Sequence, residues 1–252
     1  MHHLRSGPLA AWSAAWLDGR VVSDEVLRAT AGSDAPHQVG GLAAFDAELV
    51  SLSEVLITWR RAGGPVRLVL PVAGDVRGLP GPAEFRSAAL EVGEAVCGAT
   101  VGIVPTVIDH APSSAPTTVL WQAFEIAHAP ADFIAAADAQ YDLTTAIRES
   151  ASALSAADVA GWIDDIAEAL HDARRAGGHL NLPPGFPSRA VALVAQAERL
   201  QGVLDLAAQD PTGGAIDRAG IAARGDALRP LATAVRRARL AGYNALADQN
   251  EG

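Results

Sequence analysis

The chain contains no lysine; all 19 of its basic residues are arginine. That absence removes Schiff-base chemistry through a lysine, and with it the phosphate-binding lysines of P-loop and kinase-type nucleotide sites. Cysteine is almost as scarce. Cys97 stands alone, which excludes an intrachain disulfide and a cysteine-rich zinc site. It falls in Ala95-Val96-Cys97-Gly98, at the end of an expected helix and just before a strand. That is the wrong helix end for stabilising a thiolate, so a small buried core residue is expected. Long apolar runs are also missing. The longest, around residues 101–108 and 68–72, are too short to cross a bilayer. The opening Met1-His2-His3-Leu4-Arg5 lacks an apolar segment followed by a cleavage site, so a cytoplasmic protein is expected.

The charge balance excludes more. A formal net charge of -10 disfavours nonspecific attraction to phosphate backbones or anionic headgroups, so neither a nucleic-acid nor a membrane partner is expected. The local exception is Arg229, Arg236, Arg237 and Arg239, of which residues 229, 236 and 239 share a helical face. Cations near a helix C-terminus, kept in water, explain that run most simply.

What is present is an ordinary globular composition. Half the residues are hydrophobic and 19% are charged, enough to build a substantial core. At 252 residues, one large domain or two small ones both fit. The expected class is α+β: a small mixed sheet of three to four strands with flanking helices in residues 1–130, then an all-helical half in 131–252. The two halves could form one continuous domain.

The periodicity behind this reading begins with short helices over 8–17 and 24–29, carrying Trp12 and Trp16. Leu42, Phe45, Leu49, Leu52, Leu56 and Trp59 recur at spacings of three and four, which predicts one amphipathic helix ending at Gly63-Gly64. A strand is expected over 66–70, a helix from Pro82 to about Val96, and further strands over 100–109 and 117–127. Pro105 inside the second of these strands cannot donate to a ladder and implies a bulge or one unpaired side. Beyond residue 130 the strand signal disappears. Helices are expected over 133–154, from a Ser155 cap to about 174, over 188–209, and in two further stretches divided near Pro230. Identical Arg-Arg-Ala-Gly-Gly strings stand at 60–64 and 174–178. The first leads into an expected strand and the second into a proline-rich connection, so they reflect shared helix-ending chemistry and not a duplication.

Connectivity supplies the candidate site. A strand, a helix and a strand over residues 66–109 read as a parallel crossover unit, and parallel strands place their carboxyl ends at one sheet edge. There the loop bearing Asp75 and Arg77 would converge with Asp109 and His110. Such a crevice could bind an anion, ligate a divalent metal or perform acid–base work. The bland reading is that Asp75 and Arg77 brace a tight loop and Asp109 bonds the adjoining turn. Gly74, Gly78 and Gly81 do not match a phosphate-loop spacing. His110 and His128 cannot share a metal, because hairpin pairing separates them by roughly 35 Å at the rise of a strand. Asp164, Asp165, Glu168, His171 and Asp172 include one Glu-x-x-His spacing, but a di-metal site needs a second copy and the sequence has none.

No metal and no cofactor is therefore expected, and no complete catalytic set appears. The reading favoured is a non-enzymatic binding or assembly protein. It would use apolar helical surfaces, together with Trp12, Trp16 and Trp162, for self-association or a protein partner. The alternative is a small-molecule or anion-binding enzyme working at the carboxyl edge of the sheet through Asp75, Arg77, Asp109 and His110.

Overall fold

The computed structural model describes residues 4–42, 48–108, 116–127, 132–156, 180–209 and 218–249. The chain divides into two compact units. The first, a sheet unit, comprises residues 4–133 with Asn181–Pro187 and Tyr243–Gly252; the second, a helical unit, comprises Met1–His3, Ile134–Leu180 and Ser188–Gly242.

The sheet unit opens with α1 (Ser6–Leu17) and α2 (Ser23–Ala31). Then come β1 (Gln38–Gly40), β2 (Leu49–Ser51), α3 (Leu52–Ala62), β3 (Arg67–Val69) and α4 (Ala83–Val92). β4 (Ala95–Cys97), β5 (Val101–Ile108) and β6 (Thr118–Glu125) complete the set. The sheet has six strands in the order β2-β1-β6-β5-β4-β3, not the three to four expected. All neighbours are antiparallel except β1 and β6.

Two expectations fail for the same reason: strands of three residues are too short to show a period. The helix predicted from Leu42 begins ten residues later, at Leu52. Ser51 caps it by accepting from Ser53 N, and Leu49–Ser51 pair with β1 instead. Phe45 lies outside the described residues. The second failure concerns the crossover. α4 stops at Val92, where Gly93 takes a left-handed conformation, and Ala95–Cys97 form a strand rather than the last turn of a helix. β4 pairs antiparallel with both β3 and β5 and lies between them. The expected parallel neighbours therefore run in one direction but do not touch.

Alternation along the strands sorts the two faces. Val69, Ala95, Cys97 and Val104 pack with Phe85 and Ala89 of α4 on one face. Leu68, Val96 and Ile103 form one row pointing the other way, and all three are buried. α1 packs on β3 and β4, and α3 on β1, β2 and β5. Cys97 is buried as expected, and burial raises its thiol above the ordinary value. Trp59 of α3 reaches the tight turn between β4 and β5. Its Nε1 donates to Val101 O at 2.9 Å, beside the Gly98 amide that donates to the same oxygen. A Cβ on Gly98 would lie 2.2 Å from the Trp59 ring, so only glycine fits that turn.

Pro105 behaves as anticipated. Its partner on β6 is Trp121, and alternation from the Thr100–Ile126 bond makes this a non-hydrogen-bonded pair, so the missing amide hydrogen points toward β4. β4 pairs no further along β5 than Ile103, so Pro105 has no β4 partner to donate to. In the hairpin register Glu125 lies opposite Val101.

The outer strand β3 is closed by the segment from Asn244 to Gln249. α8 (Ala245–Gln249) comes directly after Asn244, whose Oδ1 accepts from Leu68 N at 2.7 Å and whose Nδ2 donates to Leu68 O at 3.0 Å. Arg67 forms an ion pair with Asp248. A side-chain amide thus substitutes for a seventh strand and blunts the edge.

Every described element of the helical unit is a helix: α5 (Ala136–Ala156), α6 (Ser188–Gln209) and α7 (Arg218–Tyr243). α6 has the predicted bounds. α5 runs through Ser155, which therefore does not cap a new helix, and the acidic cluster of residues 164–172 lies outside the described residues, as does the second Arg-Arg-Ala-Gly-Gly string. α7 is continuous across Pro230, where two stretches were expected; the proline forfeits one bond to the Asp226 carbonyl without ending the helix. The core joins Leu143, Leu193, Ala197, Val235 and Ala238. A Cβ on Gly242 would stand 2.4 Å from Val194 Cγ2, so this residue lets α7 approach α6 closely.

Candidate functional site

Asp75 and Arg77 sit in an exposed turn closed by the Val72–Asp75 bridge. Arg77 Nε donates to Asp75 Oδ1 at 2.8 Å, its terminal nitrogen donates to Oδ2 at 2.9 Å, and Asp132 stands 3.9 Å away. The guanidinium is already forked on a carboxylate in its own loop, the geometry of a loop brace. Asp109 and His110 lie outside the described residues. The crossover meant to bring them beside Asp75 and Arg77 is absent: past the row of Leu68, Val96 and Ile103, β5 runs on beside β6 alone, beyond the last β4 pair, for about 17 Å at the rise of a strand.

A buried polar cluster that sequence reasoning missed joins the start of α1 to the sheet. Glu94 is buried, and its Oε2 accepts from Arg5 N at 3.1 Å and Ser6 N at 2.8 Å, supplying a carboxylate to the N-terminus of α1. Arg5 forks onto Asp34 at 2.7 and 3.1 Å. Asp34 Oδ2 lies 3.5 Å from His37 Nε2, and His37 Nδ1 accepts from Trp121 Nε1 at 3.1 Å. Burial pulls His37 below its ordinary value; the Asp34 carboxylate opposes that shift and Arg5 adds to it. Both ring nitrogens face protein groups, which leaves none for a substrate, so the cluster is a tie between elements and not an acid–base site. These residues are single and scattered from Arg5 to Trp121, and no local pattern marks them.

A further open feature belongs to the helical unit. A groove of about 490 Å³ runs between α5 and α7. Ala146, Pro230 and Ala234 form an apolar floor with Thr145 and Thr233. The α5 rim carries Tyr141, Asp142 and Glu149, and the α7 rim carries Arg229 and Arg237 with Asp226. Asp226 is held by Arg229, and Arg237 stands 3.7 Å from Asp142. The groove thus has an acidic wall facing a wall with two guanidiniums. Tyr141 on its rim is 70% exposed. Of the arginine run expected to stay in water, Arg239 departs: it is buried and donates to Glu198 at 2.9 Å.

Two of the three tryptophans proposed for association have partners within the sheet unit. Trp16 is buried beneath the Arg60 guanidinium, 4.0 Å from the ring centroid. Trp12 donates to Asn181 Oδ1 at 2.9 Å, and Trp162 lies outside the described residues. Among the described residues no group of three or more His, Cys, Asp or Glu side chains is placed to hold a metal, and no helix is long and apolar enough to cross a membrane.

Comparison with known proteins gives a consistent division. Residues 6–133 match the Rv1486c-like protein N-terminal domain and residues 137–240 the corresponding C-terminal domain. The break between the two matches falls where the compact units divide. An uncharacterized protein of Mycobacterium tuberculosis strain H37Rv is 31% identical, over 94% of this chain and 95% of the relative. Uncharacterized proteins of Mycobacterium leprae and Mycobacterium avium are 26% and 29% identical over the same shares. No solved structure matches. With both domain matches in order and a relative aligned over nearly its whole length, the chain belongs to the Rv1486c-like protein family.

Proposed function

We propose that this chain is a binding or assembly protein whose helical unit receives an amphipathic helix of a protein partner in the groove between α5 and α7. The observation that carries the reading is the groove's make-up: an apolar floor between two helices, bordered by charges of opposite sign on its two walls. That is the form in which a helix face docks, with apolar anchors at three- and four-residue spacings. A volume of about 490 Å³ accommodates a few large apolar side chains. The walls set the partner's charges: basic residues beside Asp142 and Glu149, acidic residues beside Arg229 and Arg237. The sheet unit supports the reading by contrast, since its polar side chains close on one another.

The test is site-specific photo-crosslinking of the purified chain with its co-purifying material. A crosslinker at position 141, on the groove rim, should capture a partner protein or a second copy. One at Val22, exposed in the sheet unit, should capture none. Equal capture at both positions, or none at either, removes the proposal. The alternative, an anion or small-molecule site using Asp75, Arg77, Asp109 and His110, rests on no further observation. It is tested by a thermal-shift screen with metals, phosphates and nucleotides on wild type, Asp75→Ala and Arg77→Ala, where identical profiles remove it.

A further inference from the structure

Trp121 fixes the protonation form of His37. An indole N–H can only donate, so His37 Nδ1 must present a lone pair to it, and the neutral ring carries its hydrogen on Nε2, facing Asp34. A second proton can enter only at Nδ1. There it would set an N–H against the indole N–H, and the 3.1 Å hydrogen bond could not survive. Both rings are buried, Trp121 completely, so neither can turn to water without a shift of the backbone that carries it.

That backbone is a narrow attachment. Ala35 N donates to Thr117 O at 2.8 Å, and β1 adds three residues in parallel beside β6, with Gln38 opposite Leu120. The groups that face His37 come from three places. Its own loop contributes Asp34, and the segment before α1 contributes Arg5, already forked on Asp34. β6 contributes the uncharged Trp121. Glu94 stands behind, bound to the amides of Arg5 and Ser6.

We propose that His37 is an acid-sensitive latch: uptake of a solvent proton at Nδ1 breaks the bond from Trp121 and loosens residues 34–40 from β6. One N–H bond forms with a proton taken from water, and one hydrogen bond is exchanged for a charge beside Asp34. The burial of His37, which disfavours the charged form, places this event on the acid side of the ordinary histidine range.

The test is nuclear magnetic resonance on the full ¹⁵N-labelled chain, tracking the His37 ring nitrogens and the Trp121 indole from about pH 7.5 to about pH 5. At the upper end the ring hydrogen should sit on Nε2. As the ring titrates, below 6.5, the shifted indole signal should be lost and the Val39 and Gly40 amides should broaden. In His37→Asn, whose Oδ1 accepts where Nδ1 did, the indole signal should stay constant over the same range. In Trp121→Phe, with the donor removed, the His37 titration should move up toward 6.5. A wild-type indole signal that holds still while His37 titrates overturns the proposal, as does a ring hydrogen on Nδ1 at about pH 7.5. Should either variant fail to fold, these two wild-type observations decide alone.

Discussion

The two units of this chain are held by different means. In the sheet unit, large side chains carry directional bonds: Trp59 to the Val101 carbonyl, Trp121 to His37, Asn244 to both backbone groups of Leu68, Glu94 to the start of α1. In the helical unit a few polar ties, such as Arg239 to Glu198, border a core whose contacts are small and undirected. Ala139, Ala146, Ala197, Ala234, Ala238 and Ala241 fill much of the core, with Leu143, Leu193 and Val235 between them. Small residues let backbones approach but bury little apolar area per residue, and buried area is what drives packing. The unit rich in polar ties has sealed its functional groups; the alanine-rich unit leaves a groove open. The difference places the buried directional ties in one half and the open groove in the other.

If directional ties dominate the sheet unit, the largest effect comes from cutting one. Trp59→Ala removes a fully buried indole and one of the two donors to the Val101 carbonyl, and should cost about 3–5 kcal/mol by chemical denaturation. A loss under about 1 kcal/mol would erase the contrast, because a merely apolar contact in a yielding site would explain it. Asn244→Ala ranks second. It leaves the amide and carbonyl of Leu68 without their closing partner and should cost about 1–3 kcal/mol. In the helical unit the corresponding probe is steric. Gly242→Val should cost about 1–3 kcal/mol by forcing α7 from α6 at Val194, read as a lower thermal midpoint with unchanged helix content.

Next comes a pH effect confined to the sheet unit. The unfolded chain protonates the His37 imidazole near 6.5, whereas the folded protein does so only at lower pH. Between those values the unfolded state binds more protons. This contribution to stability is therefore complete above 6.5 and declines as pH falls through that window. Denaturation midpoints collected across the window should fall for wild type and fall less for His37→Asn. The smallest effect is expected at the exposed loop brace, where Arg77→Ala should change stability by no more than about 0.5 kcal/mol.

What was legible in the sequence was whatever had length. α6 spans Ser188–Gln209 as its periodicity and flanking prolines indicated, and β5 and β6 appear as two eight-residue strands joined by a hairpin. The buried Cys97 and the one-sided pairing at Pro105 were also readable, since each derives from the chemistry of a single residue. Three-residue strands were not legible. Ala95-Val96-Cys97 suits the end of a helix as well as a strand, and only its neighbours β3 and β5 decide the matter. Leu49 fitted a helical spacing by coincidence, and Ser51 was the true start of α3. The Arg5–Asp34–His37–Trp121 cluster was invisible because its members are brought together only by the fold.

The central claim, that the helical unit is the chain's binding element, is tested most directly by solution mass. Light scattering on the purified chain should report a species heavier than one chain. Thr233→Arg, at an exposed position on the groove floor, should reduce it to a single chain with an unchanged thermal midpoint. A wild-type protein that is strictly monomeric and carries nothing with it would contradict the account.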